Sequence, residues 1–318
     1  MSNGLAMVSD SEPISEQRAA EQWRQLGGST PASVETLKPP KRKSAVYLLR
    51  AGAGEDVVAK RARVATIATE HAIYGMLRGL PIPSIKCFGM AAEPDTDYAW
   101  LFTEYVDGDP FAPGKADHAA LAGTWLATVH SAAASFADRS VRLPRRDIAH
   151  YGGIIRSARD TVQRSLPNTA FSTDDRGILA RIAQRCDALE RLLGKIGEVA
   201  DALPATLVHG GFGAKNVRIR HSEVLAFDWE AGGWGTPAAD LANADVDAYH
   251  ETLSFTFPTI TRAAAGRLAL LGRLLASVSA IPGEERSLAG AWPHRVLAKM
   301  RVYERRMADA QSALGLEG

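Results

Sequence analysis

Cysteine is nearly absent. Cys87 and Cys186 are the only two in 318 residues, too few for a disulfide framework. Cys186 falls at helical spacing with Ile178, Leu179, Ile182, Leu189 and Leu193, so it reads as a small core residue. No excess of one charge is present either. The 37 basic and 36 acidic residues nearly cancel, leaving no field to attract nucleic acid or an anionic membrane. No apolar run reaches the length of a membrane span: the stretch from Leu268 to Ile281 contains Arg273 and stops at Pro282. Met1 to Gln17 is polar and acidic, without the apolar core of a signal peptide. Neither His-Glu-x-x-His nor Cys-x-x-Cys occurs, so zinc is not indicated. There is no internal repeat. These absences predict a cytoplasmic protein with neither nucleic-acid nor membrane partners; the oligomeric state is left open. Apolar residues at 46% and charged residues at 23% give a globular composition, long enough for one large domain or a two-lobed unit.

What is present is concentrated in His209-Gly210-Gly211-Phe212-Gly213-Ala214-Lys215-Asn216, followed by Phe227-Asp228-Trp229-Glu230. A phosphoryl-transfer loop of the form His-x-Asp-x-x-x-x-Asn supplies a catalytic carboxylate and then an amide that ligates magnesium; a second carboxylate on the next hairpin holds the metal against ATP phosphates. Asn216 and Asp228 occupy the two metal positions, and the position of the first carboxylate is Gly211. Magnesium takes a few hard oxygen ligands from protein and the rest from phosphate and water, and this pair suits that demand. His209 reads either as a hydrogen-bonding residue that fixes the loop or as a catalytic base. Glu230, two residues past Asp228, reads as a salt-bridge partner or as a direct metal ligand, and is a group that could stand in for the absent base. Asp245-x-Asp247 reads as a polar helix start. Gly211 to Lys215 is glycine-rich with a lysine but lacks Walker spacing and its Ser/Thr.

Along the chain, residues 1–16 are Ser/Glu/Asn-rich and predict a disordered tail. A helix from Glu16 to Leu26 is followed by strands at Ala32 to Leu37, Ala45 to Arg50 and Asp56 to Arg61, then a helix from about Arg63 to Leu77. Two more strands run through Ile85 to Gly89 and Ala99 to Tyr105, before Asp107-Gly108-Asp109-Pro110 breaks the pattern. Almost everything after Lys115 reads as helix, except a strand–loop–strand segment from Thr206 to Trp229 that contains a hairpin: Val217 to Arg220, a turn at His221-Ser222-Glu223, then Val224 to Phe227. The expected α+β architecture is a β-rich N-lobe over 17–107 and an α-rich C-lobe over 108–318. In such a first lobe Lys60, ending Val57-Val58-Ala59-Lys60, would contact the α/β-phosphates, and Glu70 on the next helix would aim it. The connection Lys38 to Ser44 stands where a glycine-rich phosphate loop would lie. It has no glycine, and its prolines lack amide donors, while Lys41, Arg42, Lys43 and the Ser44 hydroxyl offer charge-assisted contacts.

Together these residues resemble the aminoglycoside phosphotransferase and choline kinase group of small-molecule kinases, which have a protein-kinase-like fold. The segment Phe227-Asp228-Trp229-Glu230 through Gly235-Thr236-Pro237-Ala238-Ala239-Asp240-Leu241-Ala242 looks like that group's Asp-Trp-Glu … Gly-x-Pro-x-x-Asp-Leu-Ala signature. The resemblance spans about residues 30 to 275. It implies ATP and Mg2+ as cofactors, a small-molecule acceptor with a hydroxyl or amine, adenine bound by backbone groups of Glu104, Tyr105 and Val106, and Asp240 as an anchor for the loop at 209–216. Two features depart from the group: the glycine-free segment 38–44 and Gly211. Three readings follow: a phosphotransferase with a degenerate catalytic loop, a silent pseudokinase that binds nucleotide or metabolite, and an atypical ATP-dependent transferase such as a nucleotidyl transferase.

Overall fold

A computed structural model describes residues 16–41, 44–133 and 142–317. The expected disordered tail lies outside the described residues, except Glu16, which already opens a helix. The chain divides into two compact units, Met1–Arg78 with Ile85–Asp107, and Gly79–Ser84 with Gly108–Gly318. The first unit is thus interrupted by six residues, Gly79 to Ser84, that group with the second, a discontinuity not legible in composition.

In the first unit, α1 (Glu16–Gln25), β1 (Ser33–Lys41), β2 (Ser44–Arg50), β3 (Val57–Arg63), α2 (Val64–Leu77), β4 (Cys87–Ala92) and β5 (Tyr98–Glu104) succeed one another. The strands form one antiparallel sheet in the order β1-β2-β3-β5-β4. Its alternation gives the two faces different partners. Ala45, Tyr47, Leu49, Val57, Ala59, Trp100 and Phe102 form a buried cluster with Ala19 of α1, and Trp23 of that helix lies 5.2 Å from Phe88 and 5.4 Å from Phe102 between ring centroids. On α2, Ile67, Ile73 and Leu77 are fully buried.

The segment 38–44 is not the loop expected. β1 continues to Lys41, pairing Lys38 with Val46 and Lys41 with Ser44, with irregular register on either side of Lys38. The prolines are tolerated because β1 is an edge strand, where a missing N–H breaks no second ladder. Arg42 and Lys43 lie outside the described residues.

The second unit contains β6 (Asp109–Pro110), α3 (Ala116–Ala133), β7 (Arg145–Arg146), α4 (Ile148–Ser165), α5 (Thr173–Arg191), α6 (Leu193–Ala200), β8 (Thr206–Val208), β9 (Val217–Arg220), β10 (Glu223–Ala226), β11 (Gly233–Gly235), α7 (Val246–Leu253), α8 (Arg262–Ala280), α9 (Glu285–Leu288) and α10 (His294–Leu314). β9 and β10 form the expected hairpin, turning through His221 and Ser222 at positive φ, with β6 on the other side of β9. A second sheet was not expected: β11 pairs antiparallel with β8 and parallel with β7. β8 opens the strand–loop–strand segment expected from Thr206, whereas β7 and β11, of two and three residues, are too short for an alternating pattern to reveal them. Helix starts are capped by acids or hydroxyls: Asp147 accepts from the His150 amide, Ser172 and Asp175 form a capping box, and Asp245 accepts from the Ala248 amide. Cys186 is buried in α5, and burial pushes its thiol up to about 12, so it stays a protonated core residue. The span Arg262–Leu288 is long and apolar enough by composition to cross a membrane, but 56% of that window is buried. Leu268, Leu271, Leu274, Leu275 and Val278 supply that burial, with α10 and the 3-10 helix Pro237–Asn243 packed against α8. It is a core helix.

Candidate active site

In the first unit, Lys60 and Glu70 meet. Ala59 packs with α1, so strand alternation turns Lys60 to the opposite face. There its Nζ lies 2.6 Å from Glu70 Oε1, with both side chains almost fully buried. Removing one member of such a pair strands a buried charge, at a cost of about 3–5 kcal/mol. Ser44 is the first residue of β2, in register with Ala62 as well as Lys41. Of the three residues expected to meet adenine, Glu104 donates its amide to the Lys86 carbonyl and Tyr105 donates its amide to the Asp56 carbonyl, each at 2.9 Å. Those two amides therefore hold the end of β5 in place, and the expected adenine contacts narrow to the carbonyls and Val106.

In the second unit the loop after β8 is held by one carboxylate. Asp240, 2% exposed, accepts from the amide of His209 at 2.7 Å and from that of Gly210 at 2.8 Å. Gly210 has φ of +69°, and a Cβ there would lie 2.5 Å from the Ala231 carbonyl oxygen, so the turn requires glycine. Gly211 is different. Its φ is not in the left-handed region, and the nearest atoms to a Cβ there would be Asn216 Nδ2 at 3.4 Å and His209 Nδ1 at 3.7 Å. Nothing in the backbone dictates the missing side chain.

His209 is not placed as a base. It has no exposed surface, its ring centroid is 4.4 Å from that of Trp229, and Nε2 is 3.0 Å from the Phe227 carbonyl oxygen. Donation from Nε2 leaves Nδ1 as a buried acceptor with no hydrogen-bond partner among the described residues. Burial, against the weaker opposing pull of Asp240, lowers its pKa and keeps the ring neutral. Its role is to tie the loop to the end of the hairpin. Below it His130 Nε2 lies 3.6 Å from Asp240, and His130 Nδ1 is 2.9 Å from the Tyr249 hydroxyl.

The Asn216 Nδ2 donates to the Gly211 carbonyl at 3.0 Å, and the Asn216 backbone carbonyl accepts from the Phe227 amide at 2.9 Å. The amide nitrogen is thus occupied and Oδ1 is the end left for a cation. Asp228 has φ 64° and ψ 59°, a left-handed conformation that Asp tolerates better than most residues but that still stores strain. An amide oxygen and a carboxylate are hard donors of the kind magnesium takes. Glu230 is exposed on the short 3-10 turn Trp229–Ala231. One residue of this neighbourhood carried no sequence signal: Arg146 of β7, whose Nε donates to the Ala231 carbonyl at 2.8 Å.

The buried neutral His209 fixes an acid sensitivity. Above the ordinary histidine pKa of about 6.5 both folded and unfolded chains are neutral there, and stability is full. Below it the unfolded chain takes a proton that the folded chain resists, so stability falls by up to about 1.4 kcal/mol per pH unit. His150, lowered by burial and by Arg146, acts in the same direction. Urea midpoints between about pH 7 and pH 5.5 are expected to fall less steeply in His209→Gln, which keeps a donor for Phe227 and cannot titrate. Equal slopes would exclude His209 as a source of the sensitivity.

The profile of the phosphotransferase enzyme family matches residues 37–264. No curated protein sequence matches significantly. Among solved structures, a spectinomycin phosphotransferase bound to ADP and spectinomycin is similar at 11% identity, covering 96% of this chain and 100% of its own, with a TM-score of 0.63. A choline kinase from Cryptosporidium parvum is similar at 12% identity, covering 89% and 91%, with a TM-score of 0.60. An aminoglycoside phosphotransferase from Alicyclobacillus acidocaldarius is similar at 13% identity, covering 96% of each chain, with a TM-score of 0.56. At these identities the likeness is one of fold: protein-kinase-like, with a β-sheet unit and a helical unit.

Proposed function

From the premise that this chain belongs to the phosphotransferase enzyme family, we propose that it binds Mg·ATP and transfers a phosphoryl group to a small-molecule acceptor through a catalytic loop that has lost its base. The observation that carries this reading is Asn216, whose amide nitrogen is tied to the Gly211 carbonyl so that its oxygen is the end left for a metal. Lys60, aimed by Glu70, is the phosphate-contacting cation, and Asn216 and Asp228 are the metal ligands. Bound magnesium supplies neutralisation of the phosphate charge that builds during transfer. The remaining work falls to the chain: Asp240 and His209 hold the loop in one conformation, and the Gly211 backbone carries the acceptor position without a proton acceptor of its own. Phosphoryl transfer depends mainly on positioning and electrostatics, so loss of the base costs about a hundred- to ten-thousand-fold without removing the reaction. Glu230, exposed two residues beyond Asp228, is the group we assign as its replacement.

Gly211 favours a second reading, a nucleotide-binding protein that does no transfer. Product analysis separates the two. Incubation with Mg·ATP and a panel of hydroxylated and amino-bearing metabolites is expected to release ADP with a phosphorylated acceptor. Pyrophosphate release would indicate nucleotidyl transfer instead, and binding of Mg·ATP without turnover on any acceptor would favour the silent protein.

A further inference from the structure

Among the described residues, the second unit holds a guanidinium that has a partner for one donor and none for its charge. Arg146 donates Nε to the Ala231 carbonyl, yet no carboxylate among the described residues forms an ion pair with it, whereas its neighbour Arg145 pairs with Asp147 at 2.9 Å. The side chain is partly buried, and burial pulls its pKa below the ordinary arginine value. The groups around it do not compensate. His150 has its pKa lowered chiefly by burial and then by Arg146 itself, and Tyr151 is buried with its hydroxyl pushed well above the usual range. Asp240, the nearby acid that acts on Tyr151, is already shared by the amides of His209 and Gly210.

Holding a carbonyl needs only a neutral donor. A charge taken partly out of water without a counter-charge is a cost, and an anion that binds there repays it. The position is informative as well. The Ala231 oxygen that receives Arg146 is the atom a Cβ on Gly210 would strike, so the guanidinium abuts the loop that carries Gly211. Among the acids of this unit, Asp147, Asp175 and Asp245 cap helices, and Asp247 pairs with Arg262 at 2.6 Å.

We propose that Arg146 recognises an anionic group, a carboxylate or a phosphate, on the acceptor, and that the acceptor is therefore a hydroxylated or amino-bearing acid rather than a cationic amine. The proposal rests on the phosphotransferase reading for the word acceptor. The planar fork presents parallel N–H donors that match either anion bidentately.

The test uses the full chain and matched probes: glycerate and glycerol 3-phosphate as the two anions, glycerol as the neutral counterpart and ethanolamine as the cationic one. Equilibrium binding and thermal shift are read without nucleotide, and Mg·ATP is measured alone as a separate arm. Wild type is expected to bind one or both anions at least tenfold more tightly than glycerol or ethanolamine. Arg146→Met is expected to lose that preference, and Arg146→Lys, which keeps the charge but not the fork, to retain part of it. Where an anion turns over, Arg146→Lys is expected to raise KM with little change in kcat, which a merely structural arginine would not produce selectively. No preference for the anions in wild type overturns the proposal, and that result needs no folded variant. Undiminished anion binding in a folded Arg146→Met also overturns it. So does a parallel loss of Mg·ATP binding, which would put the guanidinium on the nucleotide. Failure of the Mg·ATP arm in wild type, with the anion preference intact, defeats the phosphotransferase reading and leaves Arg146 as an anion site.

Discussion

Asp228→Asn is expected to abolish the stabilisation that Mg·ATP confers on the wild-type protein. A ligand at a hundred times its dissociation constant adds about 2.7 kcal/mol, and at about 2.1 cal/mol/K of unfolding entropy per residue each kcal/mol moves the Tm of a chain this long by about 1.5 °C, so the wild-type shift is about 4 °C. Asparagine is the informative replacement. Asp228 sits at φ 64° and ψ 59°, a region that Asn shares with Asp but that costs other residues about 1–2 kcal/mol. Alanine would therefore mix lost backbone tolerance with lost ligation. Asparagine keeps the conformation and the size and removes only the charge proposed to meet the metal. The measurement is thermal unfolding of wild type, Asp228→Asn and Asp228→Ala with and without Mg·ATP. A wild-type shift that survives in Asp228→Asn would take the metal away from Asp228. Absence of a shift in wild type at millimolar Mg·ATP would remove the nucleotide itself.

The parts of this protein that were legible in its sequence are those whose chemistry is written in order and spacing. Val57 to Lys60 alternates as a strand, Glu70 falls on the following helix, and the two side chains meet at 2.6 Å. The β9–β10 hairpin carries its own turn residues, and Asp240 was marked by a signature long enough to be specific. The family match over 37–264 and the kinase-like fold agree with that reading. What was illegible depends on contacts distant in the chain. The segment 38–44 suggested a loop from its place between two strands, and its prolines fit a strand only because β1 lies at the sheet edge. Arg146 belongs to a two-residue strand whose existence depends on Gly233 to Gly235, far along the chain. The partners that bury His209, Trp229 by ring contact and Phe227 by a hydrogen bond, are likewise about twenty residues away. In sequence His209 reads either as a residue that fixes the loop or as a base, and these neighbours favour the first.

Gly211→Asp is expected to raise ADP production at least tenfold, equivalent to about 1.4 kcal/mol of barrier. General-base assistance contributes about a hundred- to ten-thousand-fold, so tenfold is a conservative expectation for a carboxylate restored in a site that lacks one. The backbone permits the change. Residue 211 has no positive φ, and the new Cβ would stand 3.4 Å from Asn216 Nδ2 and 3.7 Å from His209 Nδ1, ordinary contact distances. Replacing glycine at a compatible position also trims unfolded-state entropy, worth about 0.4–1 kcal/mol, so the variant should fold. The adjacent glycine supplies the control. Gly210→Asp places a side chain at φ +69° and drives its Cβ to 2.5 Å from the Ala231 oxygen, and it should cost stability and gain no activity. The comparison is ADP release by wild type, Gly211→Asp and Gly210→Asp at equal folded concentration, with Asp228→Asn combined with Gly211→Asp as background. A gain at 211 that disappears in the double variant would identify a magnesium-dependent site that lacked only its base. A folded Gly211→Asp that binds Mg·ATP and gains nothing would mean that glycine is part of how this site works. Because the backbone does not require it there, the reason would have to be a ligand that occupies the space of the missing side chain.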